Sequence, residues 1–153
     1  PAKLPKVDGA GPLDTARGLV ECAKRATVYA IQAAAQTFMQ SLSDQQEILA
    51  RLADMVIACY AMDSSVTRAM QAETDDARRA TLHREMANLF AHEAYEGVLR
   101  EANWVIESMA EGDALAGMKS LLKALPERPV LNVVKAHRAI AAVCIETNGY
   151  PLA

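Results

Sequence analysis

The sequence predicts an all-α fold, an antiparallel up-and-down bundle of four main helices plus one short helix, on three observations. The apolar half of the chain (52% of 153 residues) comes chiefly from Ala, Leu, Val, Ile and seven Met, with only 7 Gly and 6 Pro, a composition that favours helices over sandwiches or disordered segments. Apolar residues recur at intervals of three and four over long stretches, the spacing of one helical face. Capping and turn signals fall between those stretches at intervals that leave only short loops, so consecutive helices must run antiparallel. A chain of 153 residues is one ordinary domain, long enough to remove roughly 70% of its unfolded surface from water without disulfides or metal.

Residues 1–12 hold three of the six prolines together with Gly9 and Gly11, and read as a linker or an arm along a neighbouring surface; the helical-bundle domain is expected over 13–153. The first helix is expected over about Leu13 to Gln40, where Ala16, Leu19, Ala23, Thr27, Ala30, Ala34 and Phe38 form one stripe, alanine-rich enough for a neighbouring helix to pack close. The second opens with Ser43 or Asp44 as N-cap and Gln46 or Glu47 three positions on, a capping box. Its apolar residues Ile48, Leu52, Met55, Cys59, Met62, Val66 and Ala69 are separated by 4, 3, 4, 3, 4 and 3, a strict heptad seam, and Leu49, Val56 and Tyr60 are expected to widen that face. Thr74, Asp75 and Asp76 supply an acidic cap for a third helix running to Met109. Its expected stripe is Met86, Phe90, Ala94, Gly97, Glu101, Val105 and Met109, flanked by Leu82, Leu89, Val98 and Trp104, and Gly97 is expected to mark a close helix crossing. Gly112-Asp113 combines a stop with a new N-cap, and a short helix from Ala114 to Leu125 ends at Pro126. Pro129 restarts the chain into a last helix with Val130, Val133, Val134, His137, Ile140, Ala141 and Cys144 on one side. Asn148-Gly149 closes it and Pro151 prevents a restart.

Charge excludes one class of partner. Sixteen Lys and Arg against nineteen Asp and Glu, with the cations scattered, do not make the basic patch that nucleic acid requires. No stretch approaches the roughly 20 consecutive apolar residues of a membrane span. Cys22, Cys59 and Cys144 are odd in number and embedded in apolar helical patterns, which fits buried hydrophobes in a reducing compartment and a cytoplasmic location, or a mitochondrial one in a eukaryotic source. No secretory signal pattern opens the chain. The first residue, Pro1, is not Met, so a processed start or a piece of a longer protein is expected.

Chemistry-bearing motifs point to no site in this chain: no catalytic, cofactor-binding or metal-ligating residue is assigned. A di-metal bundle needs Glu-x-x-His from two helices, but Ala80, Leu89 and Val134 stand three residues before His83, His92 and His137. The run from His92 through Glu93, Ala94 and Tyr95 to Glu96 has Glu96 where the zinc-protease helix needs its second His. There is no Gly-rich phosphate loop and no nucleophile elbow. His137 reads as a core-edge or interface residue. Arg51 and Asp54 beside the heptad seam either reach neighbouring helices and set register or form a surface pair with each other. Met55, Met62, Met70, Met86, Met109 and Met118 are expected mainly to fill the core, with an adaptable apolar groove as the other reading.

The segment Gln46-Glu47-Ile48-Leu49-Ala50-Arg51-Leu52-Ala53-Asp54, followed by Tyr60-Ala61-Met62 and Arg68, resembles the second helix of the extra C-terminal helical domain of very-long-chain-type acyl-CoA dehydrogenases and their bacterial relatives. The alanine-rich helix before it, the acidic break near Thr74 and the closing Asn148-Gly149-Tyr150-Pro151 are similar too. The resemblance implies an appended C-terminal domain, a fragment of a flavoprotein oxidoreductase that oxidises the Cα–Cβ bond of a fatty acyl-CoA in fatty-acid oxidation. That enzyme would use a Glu base and FAD, the FAD belonging to the parent enzyme and none to this chain. No family catalytic residue can be carried onto these positions. The expected role is contact with the remainder of the parent enzyme and a second subunit, in a homo-oligomer. The alternative is a free-standing helical bundle that binds a partner helix or a small apolar ligand.

Overall fold

The computed structural model describes residues 5–74 and 76–152. Five α-helices make up the fold: α1 (Asp14–Phe38), α2 (Gln46–Gln71), α3 (Ala77–Glu107), α4 (Gly112–Lys123) and α5 (Val133–Thr147), with short 3₁₀ stretches at Met39–Asp44 and Ala72–Thr74 and no strand among the described residues. The all-α bundle is therefore as the sequence predicts. The short connections fix direction. Lys24 meets Asp63 at 3.2 Å and Thr27 Oγ1 lies 3.2 Å from Cys59 Sγ, so α1 and α2 are antiparallel. Arg51 reaches Glu101 at 2.7 Å, which makes α2 and α3 antiparallel as well.

The α2 seam holds at every position: Ile48, Leu52, Met55, Cys59, Met62, Val66 and Ala69 are all buried. They close on Leu19, Cys22, Ala23, Ala26 and Ala30 of α1 and on Ala91, Tyr95, Val98, Ala102, Val105 and Ile106 of α3. The alanine stripe of α1 is almost wholly buried, as close packing of a small-residue face requires. Leu122 of α4 joins the same core.

Several boundaries and faces differ from expectation for definite reasons. α1 stops at Phe38 because Met39 takes φ +49°. The cap of α2 is Gln45, without a side-chain hydrogen bond, because Ser43 and Asp44 are drawn into the 3₁₀ stretch ahead of it. Val56 and Tyr60 do not widen the α2 seam; at 48% and 76% exposure they face outward. On α3 the buried row is Ala87, Ala91, Tyr95, Val98, Ala102 and Ile106, roughly 100° round from the expected stripe, of which Val105 is buried, as are the expected flanking residues Leu82, Leu89 and Val98. α3 sits against both α1 and α2, and Ala87, Ala91, Tyr95, Val98, Ala102 and Ile106 fill the space between them. Met86 and Phe90 are left at the α2 edge, each 38% exposed. Gly97 marks no close crossing: a Cβ there would meet nothing nearer than Arg100 Nη2 at 3.9 Å. Asp76 does cap α3, accepting from the backbone amides of Arg78 and Arg79; Asp75 lies outside the described residues. α4 begins at Gly112, which takes φ +55°, and Glu111 is its N-cap in place of Asp113. α5 starts at Val133, capped by the Asn132 side chain on Lys135 N, and buries no residue. Asn148 ends it in the left-handed conformation expected of an Asn-Gly stop.

The close backbone approach lies at Gly18, where a Cβ would stand 2.1 Å from the Lys6 carbonyl oxygen. Residues 5–13 thus lie on α1, with Val7 and Leu13 buried in the core; residues 1–4, the start of the expected arm, are outside the described part. Gly18→Ala is expected to dislodge this segment and lower stability by about 1–3 kcal/mol, despite the better helix propensity of Ala. Urea unfolding combined with proteolysis at Lys6 checks it: faster cleavage is expected in the variant.

Candidate interaction surface

α3 organises the polar contacts of the molecule. His92 and Tyr95, one turn apart on a 3.6-residue helix, both point at the connector between α4 and α5. Tyr95 Oη donates to Pro126 O at 2.8 Å and His92 Nε2 donates to Pro129 O at 3.0 Å. Arg128 Nη1 donates to His92 Nδ1 at 2.8 Å, and its other terminal nitrogen pairs with Glu96. Guanidinium can only donate, so the His92 ring carries its hydrogen on Nε2. The connector, which has no helix of its own, is thereby clamped through its carbonyls and Arg128. The clamp is invisible to motif reading, because the His92-to-Glu96 run invites comparison with a metal helix. Among the described residues no group of three or more His, Cys, Asp or Glu could hold a metal ion.

Of the other residues singled out by sequence, Arg51 reaches across to α3: beyond its bond to Glu101, its guanidinium stands 4.8 Å over the Trp104 ring. Asp54 lies exposed beside the same seam and makes no ion pair among the described residues. His137 is an exposed residue of α5 whose Nε2 lies 3.1 Å from Glu93. His83 lines the α2/α3 edge with Met86 and Phe90. Met55 and Met62 fill the core and Met109 and Met118 pack on it, whereas Met70 and Met86 are at the surface.

Burial holds four protons in place. It raises the Cys22 and Cys59 thiols above their ordinary 9.0, opposed in part by hydrogen bonds to Tyr95 and Thr27 respectively. Burial likewise raises Tyr29 and Tyr95 above 10.0, with Cys22 adding to the rise at Tyr95. Each group binds its proton more tightly folded than unfolded. The stability it contributes is therefore complete below the unfolded value and is lost as pH rises through the folded one. The unfolding midpoint in urea is expected to be flat from about pH 7 to 8.5 and to fall steadily from about pH 9 to 11.

Two outward faces are apolar. Val28 and Ile31 of α1 and Val56, Ile57 and Tyr60 of α2 are exposed, and the Lys24–Asp63 register puts Ile31 opposite Val56 one heptad further on. The second face is the connector and α5, with Val130 fully exposed, Val134 59% and Ile145 79% exposed. Large exposed apolar patches mark surfaces that meet something else. No helix among the described residues is long and apolar enough to cross a membrane.

A cavity of about 590 Å³ beside α1 and α2 is open, and its two cations, Lys6 and Arg17, face three carboxylates, Asp14, Glu21 and Asp63, the wrong balance for the pyrophosphate of a flavin dinucleotide. The amide that could cradle an anion at the start of α1, Gly11 N, donates instead to Asp14 at 2.9 Å.

Comparison with known proteins places these features. The chain is 32% identical over 148 residues to a probable acyl-CoA dehydrogenase of Bacillus subtilis (strain 168), covering 96% of this chain and 25% of that protein. It superposes with a TM-score of 0.90 and 31% identity on the crystal structure of an acyl-CoA dehydrogenase complexed with FAD from Bacillus anthracis, covering 97% of this chain and 26% of that one. The chain thus spans about a quarter of the length of these relatives. The family described as "Acyl-CoA dehydrogenase, C-terminal domain" matches residues 22–124, from within α1 to the end of α4, and the chain belongs to that family.

Proposed function

We propose that this chain serves as the appended helical domain of a FAD-dependent acyl-CoA dehydrogenase of fatty-acid oxidation, supplying domain or subunit contacts while the flavin chemistry takes place elsewhere in the parent enzyme. The observation that carries the proposal is the match itself: 96% of this chain corresponds to only 25% of a dehydrogenase relative. In the parent, FAD would accept the electrons from the acyl Cα–Cβ bond. No residue of this chain is given a role in that step, and the cavity beside α1 and α2 has the charge balance described above. The two exposed apolar faces suit contact with the remainder of the enzyme and with a second subunit of a homo-oligomer.

The test introduces a carboxylate into each face of the intact parent enzyme, Tyr60→Asp on α2 and Ile145→Asp on α5. Assembly by sedimentation and the rate of anaerobic flavin reduction by acyl-CoA are then measured. A change in assembled mass or in the thermal midpoint, with flavin reduction retained, is expected from at least one. Unchanged assembly and midpoint in both variants, or loss of flavin reduction in a normally assembled enzyme, contradicts the contact role.

A further inference from the structure

α5 is joined to the protein differently from every other helix. It packs on α3, and none of its residues is buried. Its ties are mostly polar and mostly at the surface: Arg78 to Glu146 at 2.6 Å, Glu93 to His137 at 3.1 Å, and Arg79 Nη2 to the Leu152 carbonyl at 3.1 Å just beyond its end. Exposed pairs of this kind contribute little and weaken with salt. Beneath α5, Leu82 and Leu89, seven residues apart on α3, are buried at 3% and 6% exposure but stand outside the contiguous core of α1, α2 and α3. The seam is not tight. A cavity of about 320 Å³, lined by Leu89, Leu131, Ala136 and Ala139 among others, remains between the two helices. Among the described residues the buried Arg79 Nε has no hydrogen-bond partner.

We propose that α5 is a strap that opens as a unit of its own. It leaves α3 and uncovers the Leu82–Leu89 row while the α1–α3 core stays folded. The clamp at the connector defines where the moving part begins. Tyr95 and His92 hold Pro126 and Pro129 through buried groups, whereas beyond Asn132 the attachments are the exposed ones. Opening exchanges the half-buried row Val133, Ala136, Ile140 and Val143 for water and so exposes a second apolar surface beside the one already outward at Val134 and Ile145. The inference stands on the packing of this chain and does not rest on the dehydrogenase reading.

Native-state hydrogen exchange of the 153-residue chain, followed by mass spectrometry in urea below the unfolding transition, tests it. Amides of α5 are expected to exchange about 100-fold faster than those of α2, still slower than an unprotected peptide, with a shallower dependence on urea. About 1 M NaCl should speed them further. Leu89→Ala should accelerate α5 by about tenfold or more and leave the peptides around Met55 and Met62 unchanged. One shared rate and urea slope for α5 and α2, unprotected exchange in α5, or equal acceleration of both helices by Leu89→Ala would overturn the proposal.

Discussion

Replacing Tyr95 by alanine is expected to destabilise the domain by about 3–5 kcal/mol, the range for emptying a buried aromatic site. Tyr95 is the largest side chain that is fully buried. It sits where α3 meets α1, its hydroxyl within hydrogen-bonding distance of the Cys22 thiol and donating to Pro126 O at 2.8 Å. The alanine variant loses the packing of the ring and strands a connector carbonyl at once. Tyr95→Phe separates the two effects, keeping the ring and losing the hydroxyl, and about 1–3 kcal/mol is expected for the unpaired carbonyl. Urea unfolding of both variants measures the difference. A loss in Tyr95→Ala no larger than in Tyr95→Phe would mean that the ring is not part of the core.

Met62→Ala is expected to cost about 2–5 kcal/mol, and Met70→Ala, two turns further along the same helix, less than about 1 kcal/mol. The residues are chemically identical, and both lie on an apolar-looking stretch of α2. Met62 is a seam position at 0% exposure between α1 and α3, whereas Met70 is one residue past the seam position Ala69 and is 47% exposed. Equal losses in the two variants would show that the heptad register of α2 does not decide burial.

The contrast between α2 and α3 explains which parts of the fold are legible in the sequence. α2 has one buried face, so its heptad is enough to assign all seven seam residues; the misreadings are the outward positions of Val56 and Tyr60 and the capping box, which gives way to Gln45. α3 lies against α1 and α2 together and, more loosely, against α4 and α5. Its apolar residues therefore surround most of the helix, and periodicity alone selects Met86 and Phe90 in preference to the alanines that fit the narrow space. Gly97 and Gly18 show the same limit. Both are helical glycines, and only the tertiary approach of Lys6 distinguishes the one that is sterically required.

Local backbone chemistry is more readily legible, because it depends on neighbours in sequence. Asp76 caps α3 and Asn148 ends α5 as their residue types demand. The connector clamp is not legible in that way. His92 is separated from Arg128 by 36 residues, and a histidine whose partners are a backbone carbonyl and a guanidinium has no spacing signature. The exposure of α5 is hidden for the opposite reason. Its sequence is as apolar as a core helix, and the expectation that such a row is buried within the bundle meets a structure in which α1 and α2 already cover the central faces of α3.

The proposed role gives this domain contacts and leaves the flavin chemistry to another part of the parent enzyme. Titration of the 153-residue chain with FAD, read by flavin fluorescence and followed by addition of a fatty acyl-CoA, addresses it most directly. No saturable quenching is expected up to about 100 μM FAD, and no bleaching of the flavin by acyl-CoA. Stoichiometric FAD binding at micromolar concentration, with bleaching when acyl-CoA is added, would contradict it.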